Sequence, residues 1–458
     1  MSVFTETQNG AITNESSGSE LLNFFGSLSS ARNTESEQFL ASFYRAFNEN
    51  KVLATRSLFY MRDVRGGQGI REPFRVVVKD LATKQVLSRE FVYWIAHYGR
   101  WDDTFALLDT QSQDNLRTVL ALELSLGNKL LAKWMPREKS SKKALAKKLR
   151  KLLGLSAKDY RKLLSGNTEV VETLMCSNQW GDINYAHVPS QAGLKYKDAF
   201  ARRDGERYTE YLEQVAQGNQ NINASTLYPH QLVEKCFDGN YDATVQALWE
   251  NLPNYLEGND QTILPVVDVS GSMSGLPILV AIALGIYLSE RNGGRYKNKF
   301  LTFSESPQWA SVPNGSLELK AEKVRLADWG MSTNLESIFD LVLKMSFDSS
   351  TVVPDKIIIL TDMEFNQAMD TEPDATFFEK MQKKYDSCGA KMPTLIFWNL
   401  ASRSSDNYPV RASTNGTMLV SGFSPSIMTH ILKGGGEITP FQLMCQVLGS
   451  DRYSQIYL

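Results

Sequence analysis

Apolar residues recur at helical spacing over the first half of the chain. From about residue 20 to residue 250 this pattern is carried by runs such as Phe39, Phe43 and Phe47, with almost no strand signal. Short glycine-containing breakers separate the runs. The pattern predicts stacked helix pairs, as in an α-solenoid or an irregular helical array, although no strict repeat period is visible.

The second half shows a different pattern, in which continuous apolar strands alternate with helical segments. Strands that are apolar on both faces and alternate with helices indicate a mostly parallel, doubly wound sheet. The predicted fold class is therefore multidomain, α followed by α/β. The predicted strands are 262–268, 299–304, 356–361, 394–400 and 417–421, and the predicted helices between them include 277–290 and 334–345.

The change of pattern sets the predicted domain boundaries. We expect a flexible polar tail over residues 1–20, a helical array over 21–252 and an α/β domain over 253–458. A chain of 458 residues is long enough for two or three domains, each with a sizeable core.

Composition and charge narrow the class of protein. A hydrophobic content of 42 % and a charged content of 22 % are ordinary for globular material, and a net charge of -2 means that any polyanion must be bound by a local patch. The four cysteines are far apart, and we find no signal-peptide pattern and no run of apolar residues that could span a bilayer. We therefore expect reduced thiols, no membrane partner and a cytoplasmic protein, or one of the host cytoplasm or virion if it is viral.

An Asp-x-Ser-x-Ser motif follows the first predicted strand of the α/β domain and consists of Asp268, Ser270 and Ser272. Thr333 precedes a helical run, and Asp362 ends another buried strand. Ligands bind at the carboxyl edge of open α/β sheets, and carboxylate and hydroxyl oxygens suit Mg²⁺ or Mn²⁺. These five residues therefore predict a metal site. The alternative is a relic site that holds only water, since Ser and Asp are also ordinary turn residues.

A strongly basic segment lies in the helical array. Between Lys133 and Lys162, twelve basic residues stand against two acidic ones. Leucines at 145, 149 and 152 form an apolar stripe, and basic residues cover the rest of the predicted helix. A face of one charge sign favours phosphate contacts through counterion release; a solvated lysine-rich face and a membrane-surface helix are the alternatives. The predicted phosphate contacts are Lys142, Lys143, Lys147, Lys148, Arg150 and Lys151.

A weaker second basic site is predicted in the glycine-containing segment 62–72. Its basic side chains are Arg62, Arg65 and Arg71, and its glycines let a ligand approach the backbone closely. The segment is not a nucleotide-binding fingerprint, because no strand precedes it and no Gly-Lys-Ser/Thr follows it. The alternative is a helix–helix turn with internal ion pairs between arginine and acidic residues.

The sequence contains six distinctive segments, namely 62–72, 99–103, 134–138 with the lysine-rich run that follows it, 180–190, 200–204 and 268–273. Together they resemble the Ro-like family, which is related to the Ro autoantigen (TROVE) proteins, in its uncharacterised plant, bacterial and viral branch. The resemblance spans about residues 20–450 and implies a HEAT-like helical array closed into a ring by a von Willebrand A domain. The five oxygen ligands resemble the metal-ion-dependent adhesion site of that domain, in which the two serines bind the metal directly.

The resemblance implies a non-catalytic RNA-binding protein, either a scaffold or an RNA quality-control factor. Ro proteins bind small structured RNAs on a basic outer surface and single-stranded RNA ends in a central hole. The alternative is a metal-dependent protein-interaction module, in which the metal captures an Asp or Glu of a partner, for example within a larger viral assembly. An enzyme is not expected, because the sequence shows no nucleophile–base set and no second metal cluster.

Overall fold

A computed structural model describes residues 4–6, 12–302, 307–326, 335–348, 353–365, 377–400, 408–433 and 438–458. The chain divides into two compact units. Unit 1 joins Met1–Ser57 to Ala224–Ser454, and unit 2 comprises Leu58–Asn223 with Gln455–Leu458. The predicted domain boundary at residue 253 lies within unit 1.

Residues 20–250 are helical and contain no strand, as the apolar periodicity predicts. Side-chain caps begin several of the helices; for example, Ser88 accepts a hydrogen bond from the backbone N–H of Phe91 at the start of its helix. The helices are α1 Glu20–Gly26, α2 Ser36–Glu49, α3 Lys51–Arg62, α4 Glu72–Lys84, α5 Arg89–Tyr98, α6 Gln113–Ser125, α7 Lys129–Trp134, α8 Lys143–Leu152, α9 Ala157–Asn167, α10 Val171–Cys176, α11 Ser190–Arg203, α12 Gly205–Ala216, α13 Pro229–Phe237 and α14 Ala243–Glu250, with 3₁₀ turns at Leu28–Arg32, Trp101–Leu107, Trp180–Asp182 and Tyr185–His187.

The later part of unit 1 contains a six-stranded sheet with the order β5-β4-β3-β6-β7-β8. Neighbouring strands are parallel except for the edge pair β4–β5, so the predicted mostly parallel sheet is confirmed. The short antiparallel strand β5 was not predicted. The strands are β3 Ile263–Val267, β4 Lys299–Thr302, β5 Trp309–Ser311, β6 Lys356–Thr361, β7 Thr394–Asn399 and β8 Thr417–Ser421, and the helices are α15 Leu276–Arg291, α16 Leu317–Arg325, α17 Leu335–Ser346, α18 Phe377–Ser387, α19 Met428–Lys433 and α20 Pro440–Leu448.

The two central strands position the predicted metal site. Every residue of β3 and β6 is buried, and the strands pair in parallel with Val267 opposite Leu360. Helix α15 covers β3 closely, because Gly285 leaves room for Val267: a Cβ at position 285 would lie 2.7 Å from the Val267 side chain. The carboxyl ends of β3 and β6 therefore lie side by side.

Elements from the N-terminal region also belong to unit 1. The strands β1 Phe4–Glu6 and β2 Ile12–Asn14 are antiparallel, and Asn14 forms backbone hydrogen bonds of 3.0 Å in both directions with Tyr408. Helix α1 packs against β8 and α20, while α13 packs against α15 and α16. Part of the segment predicted to be a flexible tail is therefore folded, and helices that precede residue 253 contribute to the core around the sheet.

Unit 2 is built around clustered aromatic rings. The Phe59 ring lies 5.2–5.5 Å from the rings of Phe74, Phe91 and Tyr98, in edge-on arrangements that are favourable for aromatic pairs. This cluster ties α3, α4 and α5 together. The 3₁₀ turn at Trp101–Leu107 packs against α4, α5 and α7.

Candidate metal centre and basic helix

Asp268 follows β3 directly and is fully buried. Its Oδ1 accepts a hydrogen bond of 2.9 Å from the backbone N–H of Ser270, and its Oδ2 accepts one of 2.7 Å from the Thr361 hydroxyl. Both donors are neutral. They fix the orientation of the carboxylate at the edge of the sheet without neutralising its charge.

Asp362 follows β6 and places a second buried carboxylate at the same edge, with 1 % of the residue exposed. Burial, and then the negative charge of Asp362, raise the pKa of Asp268 to about 6. Two neighbouring carboxylates in a desolvated site repel each other unless one is protonated or a cation lies between them. This pair is therefore suited to a bound cation.

The two serine hydroxyls of the motif converge. Ser270 Oγ and Ser272 Oγ lie 3.0 Å apart in the short loop that connects β3 to α15. Ser270 is buried, with 6 % of the residue exposed. The structure thus brings four of the five predicted ligands to the carboxyl ends of two adjacent strands; the fifth, Thr333, lies outside the described residues.

The loop after β6 contains features that the sequence prediction missed. Thr361 holds Asp268, and Glu364 is a further buried acidic residue whose backbone N–H donates to Asp362 Oδ1 at 3.2 Å. Between them Met363 has a φ of 70°, a strained conformation for a residue with a side chain. The Thr-Asp-x-Glu sequence at the end of a buried strand was the available signal for this acidic loop.

The donor set fits a hard divalent cation, with carboxylates and hydroxyls as Mg²⁺ and Mn²⁺ prefer. Among the described residues, no group of three or more His, Cys, Asp or Glu is arranged to hold a metal. A metal here would thus depend on mixed ligation by Asp268, Ser270, Ser272 and Asp362.

The predicted basic helix is α8, with Lys142 at its N-cap. Ala146 and Leu149 are buried, whereas Leu145 and Leu152 are half-buried. The helix ends before Gly154, as predicted, and the Ser156 hydroxyl accepts from the backbone N–H of Asp159 to cap α9. The lysines at positions 142, 143, 147, 148 and 151 are all exposed.

Two of the predicted phosphate contacts on this helix already have acidic partners. Lys148 forms an exposed ion pair of 2.6 Å with Asp109. Arg150 is half-buried, pairs with Glu138 at 2.9 Å and donates to the carbonyl oxygen of Leu155. Arg150 is thus a structural residue, and the prediction that it contacts phosphate is corrected; the exposed pair of Lys148 can exchange with a phosphate at little cost.

The second predicted basic site is wrong for Arg62. This side chain is 1 % exposed and binds Asp103 through both Nε and Nη2, at 2.8 and 2.7 Å. Its guanidinium is paired with a carboxylate inside the fold, as expected if this segment is a helix–helix turn with internal ion pairs. Arg65 is exposed and donates to the carbonyl oxygen of His97, and Arg71 is half-buried, so these two keep part of their surface toward solvent.

Comparison with known proteins identifies similarity without a described activity. Residues 262–447 match a domain of unknown function, DUF7788, and residues 111–262 match a second domain of unknown function, DUF2828. An uncharacterized protein of Acanthamoeba polyphaga mimivirus is 29 % identical over 96 % of this chain and 86 % of its own length. Within the described residues, no helix is long and apolar enough to cross a membrane.

Proposed function

We propose that this protein is a non-catalytic RNA-binding protein, a scaffold or quality-control factor of the Ro-like type, with a divalent-metal site of the adhesion type in its α/β region. The single observation that supports RNA binding most strongly is the exposure of five lysines on α8 and its N-cap, on a chain of net charge -2. Within the described residues, no ion pair is found for Lys142, Lys143, Lys147 or Lys151. Such a face attracts the phosphate backbone and releases its counterions.

The metal site has a supporting role in this proposal. Mg²⁺ or Mn²⁺ held by Asp268, Ser270, Ser272 and Asp362, with Thr333 as a fifth ligand, would stabilise the sheet edge by offsetting the repulsion between the carboxylates.

The four cysteines are free thiols, which suits the reducing cytoplasm as the place of action, including that of a virus-infected host.

The test of RNA binding uses the purified full chain. Its absorbance ratio at 260 and 280 nm, before and after nuclease treatment, reports any RNA that co-purifies. Binding of a labelled single-stranded RNA and of a small stem-loop is then measured between about 50 and about 200 mM salt, where a multi-contact phosphate binder loses affinity steeply. Binding at low salt with a steep slope supports the proposal, and no binding at low salt overturns it.

A second candidate function is favoured by the metal centre itself. A metal held at the sheet edge with one open position can capture an Asp or Glu side chain of a partner protein, also within a larger viral assembly. The test measures binding of a short glutamate-containing peptide to the full chain with Mg²⁺ or Mn²⁺ and with a chelator. Peptide binding that requires the metal, together with an absence of RNA binding, would favour this second function.

A further inference from the structure

Two arginine-bearing segments of unit 2 meet at one point. Arg71 is the N-cap of α4, and Arg100 is the N-cap of the 3₁₀ turn that follows α5. Asp103 in this turn accepts hydrogen bonds from the Nε atoms of Arg62 and Arg75, at 2.8 and 2.7 Å. Arg75 lies one helical turn after Arg71, so these contacts hold the start of α4 against the start of the 3₁₀ turn.

Two arginines at this contact have no acidic partner. Arg71 and Arg100 form no ion pair among the residues that the structure describes. Glu72, which follows Arg71, pairs instead with Arg75 at 3.3 Å. The carboxylate of Asp103 accepts from the backbone N–H of Arg100, at 2.9 Å, rather than from its guanidinium. Within the described part of the chain, no carboxylate therefore contacts the arginine pair, Arg71 and Arg100.

Both members of the arginine pair are half-buried. The guanidinium of Arg100 lies 4.8 Å above the Trp134 ring, and this cation–π contact holds it in place. Burial, and then the positive charges of Arg71 and Arg62, lower the pKa of Arg100, even though two nearby aspartates raise it. Two neighbouring positive charges in a partly desolvated site favour an anion from solution.

The chemistry of the arginine pair favours a phosphate that carries two negative charges. A guanidinium donates two parallel hydrogen bonds to a pair of oxygens, and it does so for phosphate as well as for carboxylate. A phosphomonoester has three free oxygens and about two negative charges near neutral pH. An internal phosphate of a nucleic acid, or a carboxylate, carries one negative charge. The monoester therefore matches two guanidinium groups best.

The basic helix α8 begins beside the arginine pair. Lys142, its N-cap, lines the same cavity as Arg75 and Asp102. Arg75 lies one turn from Arg71 in α4, and Asp102 follows Arg100 by two residues. A polyanion bound on the exposed lysines of α8 can therefore extend to the arginine pair. This continuity favours RNA over a phosphorylated protein as the source of the phosphate.

We propose that the arginine pair binds the terminal phosphate of an RNA. Arg71 donates to the phosphate oxygens from the start of α4 and Arg100 from the start of the 3₁₀ turn, while internal phosphates of the same RNA lie on the lysines of α8. The site thus distinguishes an RNA that keeps a terminal phosphate from one of the same sequence that has lost it. This assignment rests on the proposed RNA-binding function.

The direct test measures binding of one short single-stranded RNA to the full chain in three forms: with hydroxyl groups at both ends, with a 5′-phosphate and with a 3′-phosphate. At least one phosphorylated form should bind about tenfold more tightly or better, because it gains charge-assisted hydrogen bonds. An RNA one nucleotide longer, with hydroxyl ends, adds one internal phosphate and should bind like the shorter unphosphorylated form. Equal affinity of the three forms, or an equal gain from the extra nucleotide, overturns the proposal.

Variants locate the terminal phosphate. Arg71→Gln and Arg100→Gln should each remove the preference for phosphorylated RNA and leave the affinity for the hydroxyl-ended form unchanged. Arg117→Gln, at an exposed arginine of α6, removes the same charge from unit 2 and should keep the preference. Thermal unfolding shows whether Arg100→Gln, which loses its contact with Trp134, still folds; Arg71→Gln tests the proposal in either case. A preference that persists in Arg71→Gln overturns it.

Two outcomes separate this proposal from the function on which it rests. RNA binding by the wild-type chain without a preference for a terminal phosphate overturns the assignment of the arginine pair and leaves the proposed function. If the wild-type chain binds no RNA, but inorganic phosphate raises its melting temperature and does not raise that of Arg71→Gln, the proposed function fails and the pair binds a free phosphate. Tighter binding of a phosphoserine peptide than of any RNA also overturns the assignment to RNA.

Discussion

At the scale of single residues, the partner of each buried carboxylate indicates its role. Asp103 is fully buried but is neutralised by Arg62 and Arg75, so it belongs to the framework of unit 2. Asp268 is equally buried, yet its donors are neutral and its charged neighbour is Asp362. A buried ion pair holds a fold together, whereas two adjacent buried carboxylates favour a cation from solution.

The first prediction concerns Asp268→Asn. Removing one of two like charges should leave the metal-free protein at least as stable, and it should abolish the stabilisation by metal. Wild type at about one hundred times its dissociation constant for Mg²⁺ or Mn²⁺ should gain about 2.7 kcal/mol. Thermal unfolding with and without metal measures both effects. Glu257→Gln, at an exposed carboxylate of unit 1, is the control and should respond to metal as wild type does.

An equal metal response in Asp268→Asn and wild type would contradict the metal site. If the thermal stability of wild type does not respond to millimolar Mg²⁺ or Mn²⁺, the site at the sheet edge is instead a relic that holds only water.

The second prediction concerns pH and His230 in α13. Burial, and then the positive charge of Arg32, lower the pKa of His230 to about 4, and its Nδ1 is buried without a hydrogen-bond partner. The folded pKa lies below the unfolded value of about 6.5, so the unfolded chain takes up the proton first. Stability is therefore complete above about pH 6.5 and falls as the pH drops towards 4, by at most about 3 kcal/mol.

Denaturant unfolding across this pH range measures the effect. His230→Phe keeps an aromatic ring between Tyr228 and Phe423, whose rings lie 5.7 and 5.4 Å from that of His230. The variant should lose the part of the pH dependence that His230 contributes. If the two proteins lose stability in parallel between pH 6.5 and 4, His230 is not the titrating group.

The sequence predicted which side chains lie together where the residues are close along the chain, and it failed where a residue's partner is distant. Asp268, Ser270 and Ser272 lie within five positions, so the strand and the motif alone brought them together. Arg62 was misassigned because its partner Asp103 lies 41 positions away. The periodicity of the sequence does not show that the 3₁₀ turn at Trp101–Leu107 packs onto the Arg62 side chain.

At the scale of elements, α8 combines a narrow buried face with a wide basic one. Ala146 and Leu149 are the buried residues of this ten-residue helix, so most of its surface is available to a ligand. The periodicity of the sequence predicted the helix and its end. It could not show that Arg150 would form an ion pair with Glu138, because that contact depends on how the loop before α8 folds.

The third prediction concerns the lysines of α8. Changing Lys143, Lys147, Lys148 and Lys151 together to Gln should weaken binding to unrelated RNAs. It should also reduce the slope of log affinity against log salt by roughly 0.7–0.9 for each phosphate that the protein no longer neutralises. The buried face is untouched, so the circular dichroism spectrum should not change.

The matched control changes four exposed lysines of unit 1, namely Lys297, Lys323, Lys391 and Lys433, to Gln. It removes the same charge and should leave the salt slope as in wild type. An equal weakening in both variants would mean that net charge matters rather than α8, and unchanged binding in both would exclude α8 as the RNA interface.

At the scale of the whole molecule, the change of sequence pattern near residue 253 is not a boundary between compact units. Unit 1 includes α1, α2, α13 and α14 together with the sheet. The buried faces of these helices carry side chains such as Phe24, Phe25, Leu232 and Val233, which are at most 1 % exposed. Apolar patterning shows that a helix has a buried face, but not which element covers that face.

The fourth prediction follows from this composition. A fragment of residues 253–458 should aggregate or bind hydrophobic dyes strongly, because it lacks the helices that cover β8, α15, α16 and α20. A fragment of residues 58–223 should fold with its own cooperative transition, since its aromatic core is internal to unit 2. Size-exclusion chromatography and thermal unfolding of both fragments measure this. A monomeric, cooperatively folding 253–458 fragment would contradict it.

The pairing of Asn14 with Tyr408 has a consequence for biosynthesis. Residues from the beginning of the chain complete unit 1 only after the strand and helices beyond residue 408 have left the ribosome. At a synthesis rate of roughly 5–20 residues per second, Phe24 and Phe25 wait on the order of 20–80 s for β8 and α20. Unit 2 can fold during this interval, while the nascent N-terminal helix remains an exposed apolar segment of the kind that holding chaperones bind.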